Sequence, residues 1–261
     1  VLNGLMNILL IFLLPFVGLE ALKLTDFLVA LFAGIMLGAA VAVYYKAVQY
    51  EEISRIKIMF QMEPILVLVF SFVFLGEMLA KNHLIGFLFM LCAGIIVSYK
   101  KAEKAFKLSK SFYLVLISMF FGAFHAVSAK YIYGITSFWS AFLWLRVCGF
   151  TALLVLLLPS VRSEALRTFK DMKPSIKKLM IFKMAIDFSA LVFGGYALLY
   201  GPVSLVVALE TAVAPLFIFA LALFFSIYMP HIIKEEIGRK AVLTKLLAIF
   251  LILTGIWCIN L

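Results

Sequence analysis

Several ionisable residues lie within long apolar stretches of this sequence, where a charge is costly. They are Lys46, Glu63, His125, Lys130, Arg146, Lys183, Asp187 and Glu210. At the centre of a hydrocarbon span an acid or a base costs about 2.5–3.5 kcal/mol on insertion scales. Side chains of this kind usually bind a substrate, carry a proton or neutralise one another, so these residues are the first candidates for chemistry.

Two of the acids accompany prolines. Glu63 directly precedes Pro64, and Glu210 stands five residues before Pro215. A proline within a helix removes one backbone hydrogen bond and leaves a carbonyl group free. A carboxylate beside such a break is suited to bind a proton or a cationic group. The alternative for Glu63 is an ion pair with a lysine of a neighbouring helix.

Three further positions have both a structural and a functional interpretation. Lys183 and Asp187 are four residues apart, which places them on one helix face and predicts an intrahelical ion pair. A polar face of this kind would line a cavity and not contact lipid. His125 is suited to relay protons, and a hydrogen-bonded packing role explains it equally well.

The cations also divide into two groups. Arg146 lies deep in its span, where it either holds a carboxylate of the substrate or pairs with Glu63 or Glu210. Lys46 and Lys130 lie near span ends, where snorkelling of the ammonium group to the interface explains most lysines.

Tyrosines cluster at equivalent helix ends. They are Tyr44, Tyr45, Tyr50, Tyr196 and Tyr200. An interfacial aromatic belt is the usual explanation; a gate or an aromatic lining of the substrate pathway is the alternative. The pairs Gly34-xxx-Gly38 and Gly194-Gly195 predict surfaces for close helix packing.

Motifs of several enzyme classes are absent from the sequence. It contains no phosphate-binding loop, no HExxH zinc pattern and no GxSxG nucleophile motif. Cys92, Cys148 and Cys258 all fall within apolar runs and predict neither a disulfide nor a metal site. We therefore expect no cofactor, no bound metal and no enzymatic activity.

Membrane-spanning helices must position these residues. Of 261 residues, 66% are hydrophobic and only 14% are charged, which is more apolar surface than a soluble domain of this size can bury. Lipid cannot satisfy free backbone polar groups, so the spans are helices. The sequence predicts an all-α membrane protein with about nine transmembrane helices. The spans are 3–19, 26–46, 54–76, 83–99, 111–133, 137–159, 179–200, 203–228 and 241–260.

An internal repeat relates the two parts of the chain. Residues 6–23 resemble residues 150–167, with Pro15 matching Pro159, and further matches pair the later spans. Apolar composition alone does not place prolines in register. The similarity therefore predicts two repeats of one helical unit.

The repeats define the expected domains. The first, residues 1–100, has four helices, and the second, residues 111–261, has five. We expect that the first repeat lacks its opening helix and that the complete fold has ten helices in two repeats of five. An odd number of crossings inverts the second repeat relative to the first, which is a plan of secondary transporters with the substrate near the midplane.

The net charge of +10 follows the topology and does not indicate a nucleic-acid partner. Successive connectors alternate between two sides, and basic residues concentrate on one side, above all in the loops 100–110 and 162–178. The positive-inside rule places these loops in the cytoplasm and the C-terminus outside. We expect a multi-pass protein of the plasma membrane, with the lipid bilayer and a small-molecule substrate as partners. The sequence leaves the oligomeric state open, a monomer included.

Two strings resemble the EamA-type transporters of the drug/metabolite transporter superfamily. They are EPILVLVFSFVFLGE (63–77) and ALLYGPVSLVVALETAVAPLF (197–217). The resemblance covers essentially the whole chain and includes a Gly-Glu pair that closes the first half, here Gly76 and Glu77. The second half departs from the pattern and has no such pair after Phe225. Many family members keep both termini in the cytoplasm, contrary to the charge pattern here.

The resemblance implies a secondary transporter. The hypothesis is alternating-access movement, as an exporter, of small metabolites such as amino acids or amphipathic compounds, with any proton coupling at Glu63 or Glu210. One alternative is an anionic substrate, such as a phosphorylated metabolite or a nucleotide sugar, bound by Lys46, Lys130 and Arg146. An alternative of another class is a membrane-embedded enzyme that uses His125.

Overall fold

The computed structural model describes residues 19–51, 56, 59–98, 110–149, 162–163, 167, 170–228 and 239–259. The helices are α1 (Leu24–Val48), α2 (Glu63–Phe70), α3 (Lys81–Ser98), α4 (Lys110–Ile135), α5 (Phe138–Cys148), α6 (Pro174–Tyr200), α7 (Val203–Tyr228) and α8 (Arg239–Ile259). A 3-10 turn, Phe60–Met62, leads into α2, and a π-helical turn, Ser71–Leu75, follows it. These residues contain no strand, which confirms the all-α class.

The predicted spans correspond closely to these helices. The span 203–228 coincides with α7, and α1 and α6 extend beyond the spans predicted at 26–46 and 179–200. The span 3–19 up to residue 18, the second half of the span 137–159, and the loop 100–110 before Lys110 lie outside the described residues. The count of nine spans and the inverted repeat stay predictions.

Three of the described helices are long and apolar enough to cross a membrane, as judged by length and composition. They are Leu24–Val48, Lys110–Ile135 and Pro174–Tyr200. At 1.5 Å per residue, helices of 25 to 27 residues exceed the roughly 30 Å of a hydrocarbon core. Their backbone groups are satisfied within the helix, as lipid requires.

The chain divides into two compact units, each made from two separate segments. Unit 1 comprises Val1–Ala42 and Phe124–Gly201, and unit 2 comprises Val43–Ala123 and Pro202–Leu261. Helices α1 and α4 each pass from one unit into the other. The units thus combine residues from both predicted repeats, and the repeat boundary near residue 100 stays a prediction.

Small residues of α1 form the core of unit 1 together with larger side chains of α4 and α5. The buried set is Ala30, Ala33, Ala129, Ile132, Tyr133, Ala141, Phe142, Leu145 and Cys148. A Cβ atom on Gly34 would collide with the carbonyl oxygen of Cys148. Helix α1 therefore reaches the end of α5 by backbone contact, which confirms the packing role predicted for Gly34.

In unit 2, α3 packs against both α7 and α8. The shared core contains Phe87, Met90, Ala93, Leu205, Ala208, Ala212, Ala248 and Ile252. Helices α3 and α8 cross at two glycines, since a Cβ on Gly255 would lie 2.9 Å from the carbonyl oxygen of Gly86. A second core joins Ala47, Ile56 and Met59 to Val115 and Met119 of α4.

The Gly76-Glu77 pair ends the helical segment that contains α2. Gly76 has φ +66°, in the left-handed region that glycine adopts without strain. Its N–H donates to the carbonyl of Phe72, and the N–H of Glu77 donates to that of Ser71 (both 3.2 Å). This is the usual glycine-terminated helix end, and it directs the chain toward α3.

Candidate functional site

A buried glutamine connects the two proline-containing helices of unit 2. Pro215 has no N–H, so the carbonyl of Thr211, four residues earlier in α7, lacks its helical donor. Gln61 Nε2 donates to this carbonyl at 3.1 Å. The Gln61 side chain is buried, and its Oε1 lies where a Cβ on Gly94 would be. The glutamine thus occupies a space that only a glycine in α3 leaves open.

Pro64 also leaves a carbonyl without its helical donor, and here a backbone N–H replaces it. Its missing N–H would have bonded to the carbonyl of Phe60, and the N–H of Glu63 donates to that carbonyl instead. The tighter 3-10 turn before α2 is the consequence. The helical segment is distorted before Pro64, whereas α7 continues as an α-helix past Pro215. At both prolines, the carbonyl that loses its helical donor receives another one.

The Glu63 carboxylate lies beside a glycine of α4. A Cβ added to Gly122 would be only 2.5 Å from Glu63 Oε1. Glu63 is half-buried, and it stands at the first position of α2, next to Pro64. An acid in contact with the bare backbone of a long apolar helix is well placed to exchange a proton or to hold a cationic group.

Glu210 precedes Thr211, the residue whose carbonyl Gln61 binds. It lies about two turns into α7, and its side chain is exposed. Lys46 lies in the last turn of α1 and is also exposed. Their predicted places on a substrate or proton pathway stay predictions.

Arg146 is the most deeply buried cation among the described residues. Its side chain is 8% exposed, and its Nε has no hydrogen-bond partner in the described part of the chain. The guanidinium carbon lies 5.6 Å from the centre of the Phe142 ring, within the range of a cation–π contact. Arg146 stands in the last turn of α5, where the helix dipole favours a positive charge.

His125 joins α4 to α1. Its Nδ1 lies 3.0 Å from the carbonyl oxygen of Ala33. A carbonyl only accepts, so Nδ1 carries the proton and the other ring nitrogen of the neutral histidine keeps a free lone pair. The hydrogen-bonded packing role is present, and a proton-relay role stays a prediction.

Lys130 contacts the C-terminal end of α6. Its Nζ donates to the carbonyls of Leu198 (2.7 Å), Leu199 (3.3 Å) and Gly201 (2.9 Å). The last carbonyls of a helix have no intrahelical donor and carry the negative end of the dipole. The ammonium group therefore caps α6, and the snorkelling explanation stays a prediction.

The remaining candidates lie on α6. Lys183 Nζ contacts Asp187 Oδ2, which confirms the predicted intrahelical ion pair. Tyr196 stacks on Phe138, with ring centres 3.7 Å apart and planes 12° apart, whereas Tyr200 is exposed. Tyr133 continues the stack on Phe138 at 5.6 Å.

Two acids outside the spans cap helix N-termini, a role that no pattern in the sequence predicted. Glu77 Oε2 accepts from the N–H of Val203 at 3.2 Å, at the start of α7. Glu20 Oε2 accepts from Thr136 Oγ1 (2.5 Å) and from the N–H of Ser137 (3.3 Å), just before α5. These hydrogen bonds, that of Thr136 first, lower the pKa of Glu20.

Gln61 is the other functional candidate that sequence reasoning missed. It carries no charge, so a search for ionisable residues within spans passes over it. Its position two residues before Glu63-Pro64, in an otherwise apolar stretch, was the available signal.

The fold and these sites define a multi-pass helical membrane protein with polar groups at proline breaks. Residues 3–99 match the model of the EamA-like transporter family, which confirms the resemblance to EamA-type transporters for that segment. This family is one of membrane transporters.

Comparison with solved structures gives the same fold. One, titled "Crystal structure of protein", is 13% identical and aligns over 97% of this chain and 82% of its own, with a TM-score of 0.64. At this identity the likeness concerns the fold alone. A search of curated proteins finds no match.

Proposed function

We propose that this protein is a secondary transporter that moves small metabolites, amino acids among them, across the plasma membrane by alternating access. The supporting observation is the pair of proline-containing helices in unit 2, α2 and α7, where Gln61 donates to the carbonyl that lacks its helical donor because of Pro215. Helices that lose backbone hydrogen bonds, with acids beside the site of the loss, are typical of transporter binding sites.

Glu63 is the proposed coupling group. A protonated acid is neutral and remains at low cost among apolar helices, whereas the carboxylate requires a donor or a cation. Its contact with Gly122 leaves no room for a side chain there. Protonation of Glu63 would therefore favour one arrangement of α2 against α4, and release of the proton would favour the other.

The contacts of Lys130 argue against the phosphorylated-substrate alternative. Its ammonium group already donates to three carbonyls of the α6 end. A phosphate dianion would need this lysine together with Arg146, and recruiting it would leave those carbonyls without donors. A singly charged or zwitterionic substrate makes no such demand.

Flux in proteoliposomes tests the proposal. The full chain is reconstituted, a pH gradient is imposed, and uptake of labelled amino acids is measured for wild type, Glu63→Gln and Glu210→Gln, singly and together. We expect the double variant to lose gradient-driven flux by at least about tenfold while keeping gradient-independent exchange. Asp171→Asn, an exposed acid paired with Arg167, is the matched control. Undiminished gradient-driven flux in the double variant rejects the coupling role.

A pair of glycine variants tests the position of Glu63 without changing any charge. Gly122→Ala puts a methyl group 2.5 Å from Glu63 Oε1, whereas Gly134→Ala, on the same helix, meets nothing within 4 Å. Only Gly122→Ala should reduce the flux that is driven by the pH gradient. Equal effects of the two substitutions would mean that the Glu63 contact is not used.

A further inference from the structure

We infer that Arg146, with Phe142 and Tyr133, forms a site in unit 1 for the carboxylate group of a small monoanionic or zwitterionic ligand. The inference rests on the proposed transport function, because it names the class of substrate. It concerns residues of unit 1 only and uses none of the groups assigned to coupling.

Arg146 has no negatively charged partner among the described residues. Arg146 is 8% exposed and its Nε is buried without a partner among the described residues. The ion pairs Arg167–Asp171 and Lys183–Asp187 do not include it. A buried guanidinium without an anion is unfavourable, so the residue is best explained by an anion that arrives from outside the protein.

The side chains around Arg146 are suited to bind a carboxylate. The planar guanidinium donates two parallel hydrogen bonds to a carboxylate, and the Phe142 ring supports it from one side at 5.6 Å. Tyr133 is buried, lies within electrostatic range of Arg146, and has its Oη against Gly195, where a Cβ would be 2.6 Å away. Its hydroxyl is a hydrogen-bond donor for a bound anion.

The other ionisable groups of unit 1 indicate the charge of the ligand. Within unit 1, Lys130 is bound to three carbonyls and Lys183 to Asp187. His125 uses one ring nitrogen for the carbonyl of Ala33. Among the described residues of unit 1, Arg146 is the buried cation that has neither an acid nor a set of carbonyl acceptors beside it, and one carboxylate matches its charge. A dianion would bring a second negative charge, for which Lys130 and Lys183 are already engaged.

Equilibrium binding to the purified full chain in lipid nanodiscs tests the inference without requiring transport. The probes are benzoate, phenylacetate and acetate, with benzamide as the uncharged counterpart of benzoate and inorganic phosphate as the dianion. Wild type should bind benzoate at least about tenfold more tightly than benzamide or phosphate. Equal binding of benzoate and benzamide, tighter binding of phosphate, or no binding of any carboxylate would overturn the inference.

Variants then assign the effect to the arginine. Arg146→Gln should lose benzoate affinity by at least about tenfold, and Arg146→Lys by less, because it keeps the charge but not the bidentate geometry. Arg167→Gln, on an exposed arginine, should bind as wild type does. Because the ligand-free cation is unfavourable, Arg146→Gln should also unfold at a temperature no lower than wild type, which a purely structural arginine would not allow. Wild-type benzoate affinity in Arg146→Gln overturns the assignment.

The two proposals fail in different ways. If benzoate binding depends on Arg146 but no labelled solute crosses proteoliposomes, transport is rejected and the carboxylate site stands. If amino acids are transported equally by wild type and Arg146→Gln, transport stands and the carboxylate site is rejected. If Arg146→Gln does not fold, the benzoate and benzamide affinities of wild type and of Arg146→Lys decide.

Discussion

Gln61 and Pro215 have opposite effects on the hydrogen bonding of one backbone carbonyl. The proline removes a hydrogen bond from the Thr211 carbonyl, and the glutamine amide replaces it. A membrane-spanning helix can keep a carbonyl without its helical donor only if another group satisfies it, because lipid offers no donor. Gln61 thus allows α7 to continue past Pro215, and a movement of Gln61 would leave the Thr211 carbonyl without a donor.

Replacing Gln61 with Leu removes the donor and leaves a buried carbonyl unsatisfied. We expect a loss of about 1–3 kcal/mol in unfolding free energy. Gln49→Leu, at an exposed turn, is the matched control. The decisive measurement is a double-mutant cycle with Pro215→Ala, which returns an N–H to the Thr211 carbonyl. In the Pro215→Ala background, Gln61→Leu should lower the unfolding free energy by clearly less. An equal loss in both backgrounds would contradict the role of Gln61 as the donor that replaces the missing N–H.

Residue-scale chemistry could be predicted only in part. Glu63, Glu210 and Arg146 stand out in sequence because charges within apolar runs are rare, and the ion pair of Lys183 with Asp187 follows from helical spacing alone. The role of Gln61 could not be predicted, since its partner is 150 residues away and is a backbone atom. Sequence spacing carries no information about such contacts.

Helices in this protein are held at their ends by side chains from other elements. Lys130 of α4 caps the C-terminus of α6, Glu77 caps the N-terminus of α7, and Glu20 accepts donors just before α5. In each case the sign of the charge matches the helix dipole. The Gly76-Glu77 pair, recognised in the sequence as a family feature, has a physical explanation here: the glycine ends one helical segment and the glutamate caps another.

Lys130→Met should loosen the end of α6. The variant keeps the length of the side chain and loses three hydrogen bonds, so we expect a loss of at least about 1.5–3 kcal/mol, the value of one charge-assisted bond. Amide hydrogen exchange should accelerate in the last turn of α6, near Leu198 and Leu199. Lys170→Met, on an exposed lysine, is the control. Unchanged exchange at the α6 end would exclude the capping role.

The Glu20 contacts predict a dependence of stability on pH. The hydrogen bond from Thr136, followed by those from Ser137, lowers the folded-state pKa of Glu20 below its ordinary 4.5. The stabilisation is therefore complete above the unfolded-state pKa and is lost as the pH falls through the lower folded-state pKa. Unfolding midpoints of wild type and Glu20→Gln should differ at about pH 7 and converge toward about pH 3. A constant difference over this interval would contradict the prediction.

At the scale of the whole molecule, the contacts within each unit agree with the prediction that successive connectors lie on alternating sides. In unit 1, Glu20 meets Thr136, and Lys130 meets the segment 198–201. In unit 2, Lys110 Nζ donates to Tyr50 Oη at 3.0 Å, and this contact lowers the pKa of Tyr50. Each pair joins connectors or span ends that the sequence assigns to one side, as the predicted alternation requires.

The charge argument predicts that the basic loops are cytoplasmic and the C-terminus is outside. A reporter that is active only in the cytoplasm should be silent when fused after Leu261. The same reporter inserted in the loop 100–110 should be active, which serves as the control. An active C-terminal fusion with a silent loop insertion would reverse the orientation.

The sequence predicted the helical class and the positions of most helices, because lipid enforces long apolar runs. The grouping of helices could not be predicted, since the repeat suggests division near residue 100, whereas the compact units combine residues 124–201 with residues 1–42 and residues 202–261 with residues 43–123. Packing partners depend on side-chain shape, as at Gly34 against Cys148, and an internal repeat does not encode them.

This interleaving has a consequence for biosynthesis. Neither unit is complete until its second segment has left the ribosome. The Gln61 amide is synthesised 150 residues before the carbonyl it will bind. At about 5–20 residues per second, that delay is roughly 8–30 s. During this interval the translocon or an early partner helix would have to shelter the amide, so insertion, as well as the mature fold, limits which polar residues the early apolar segments can carry.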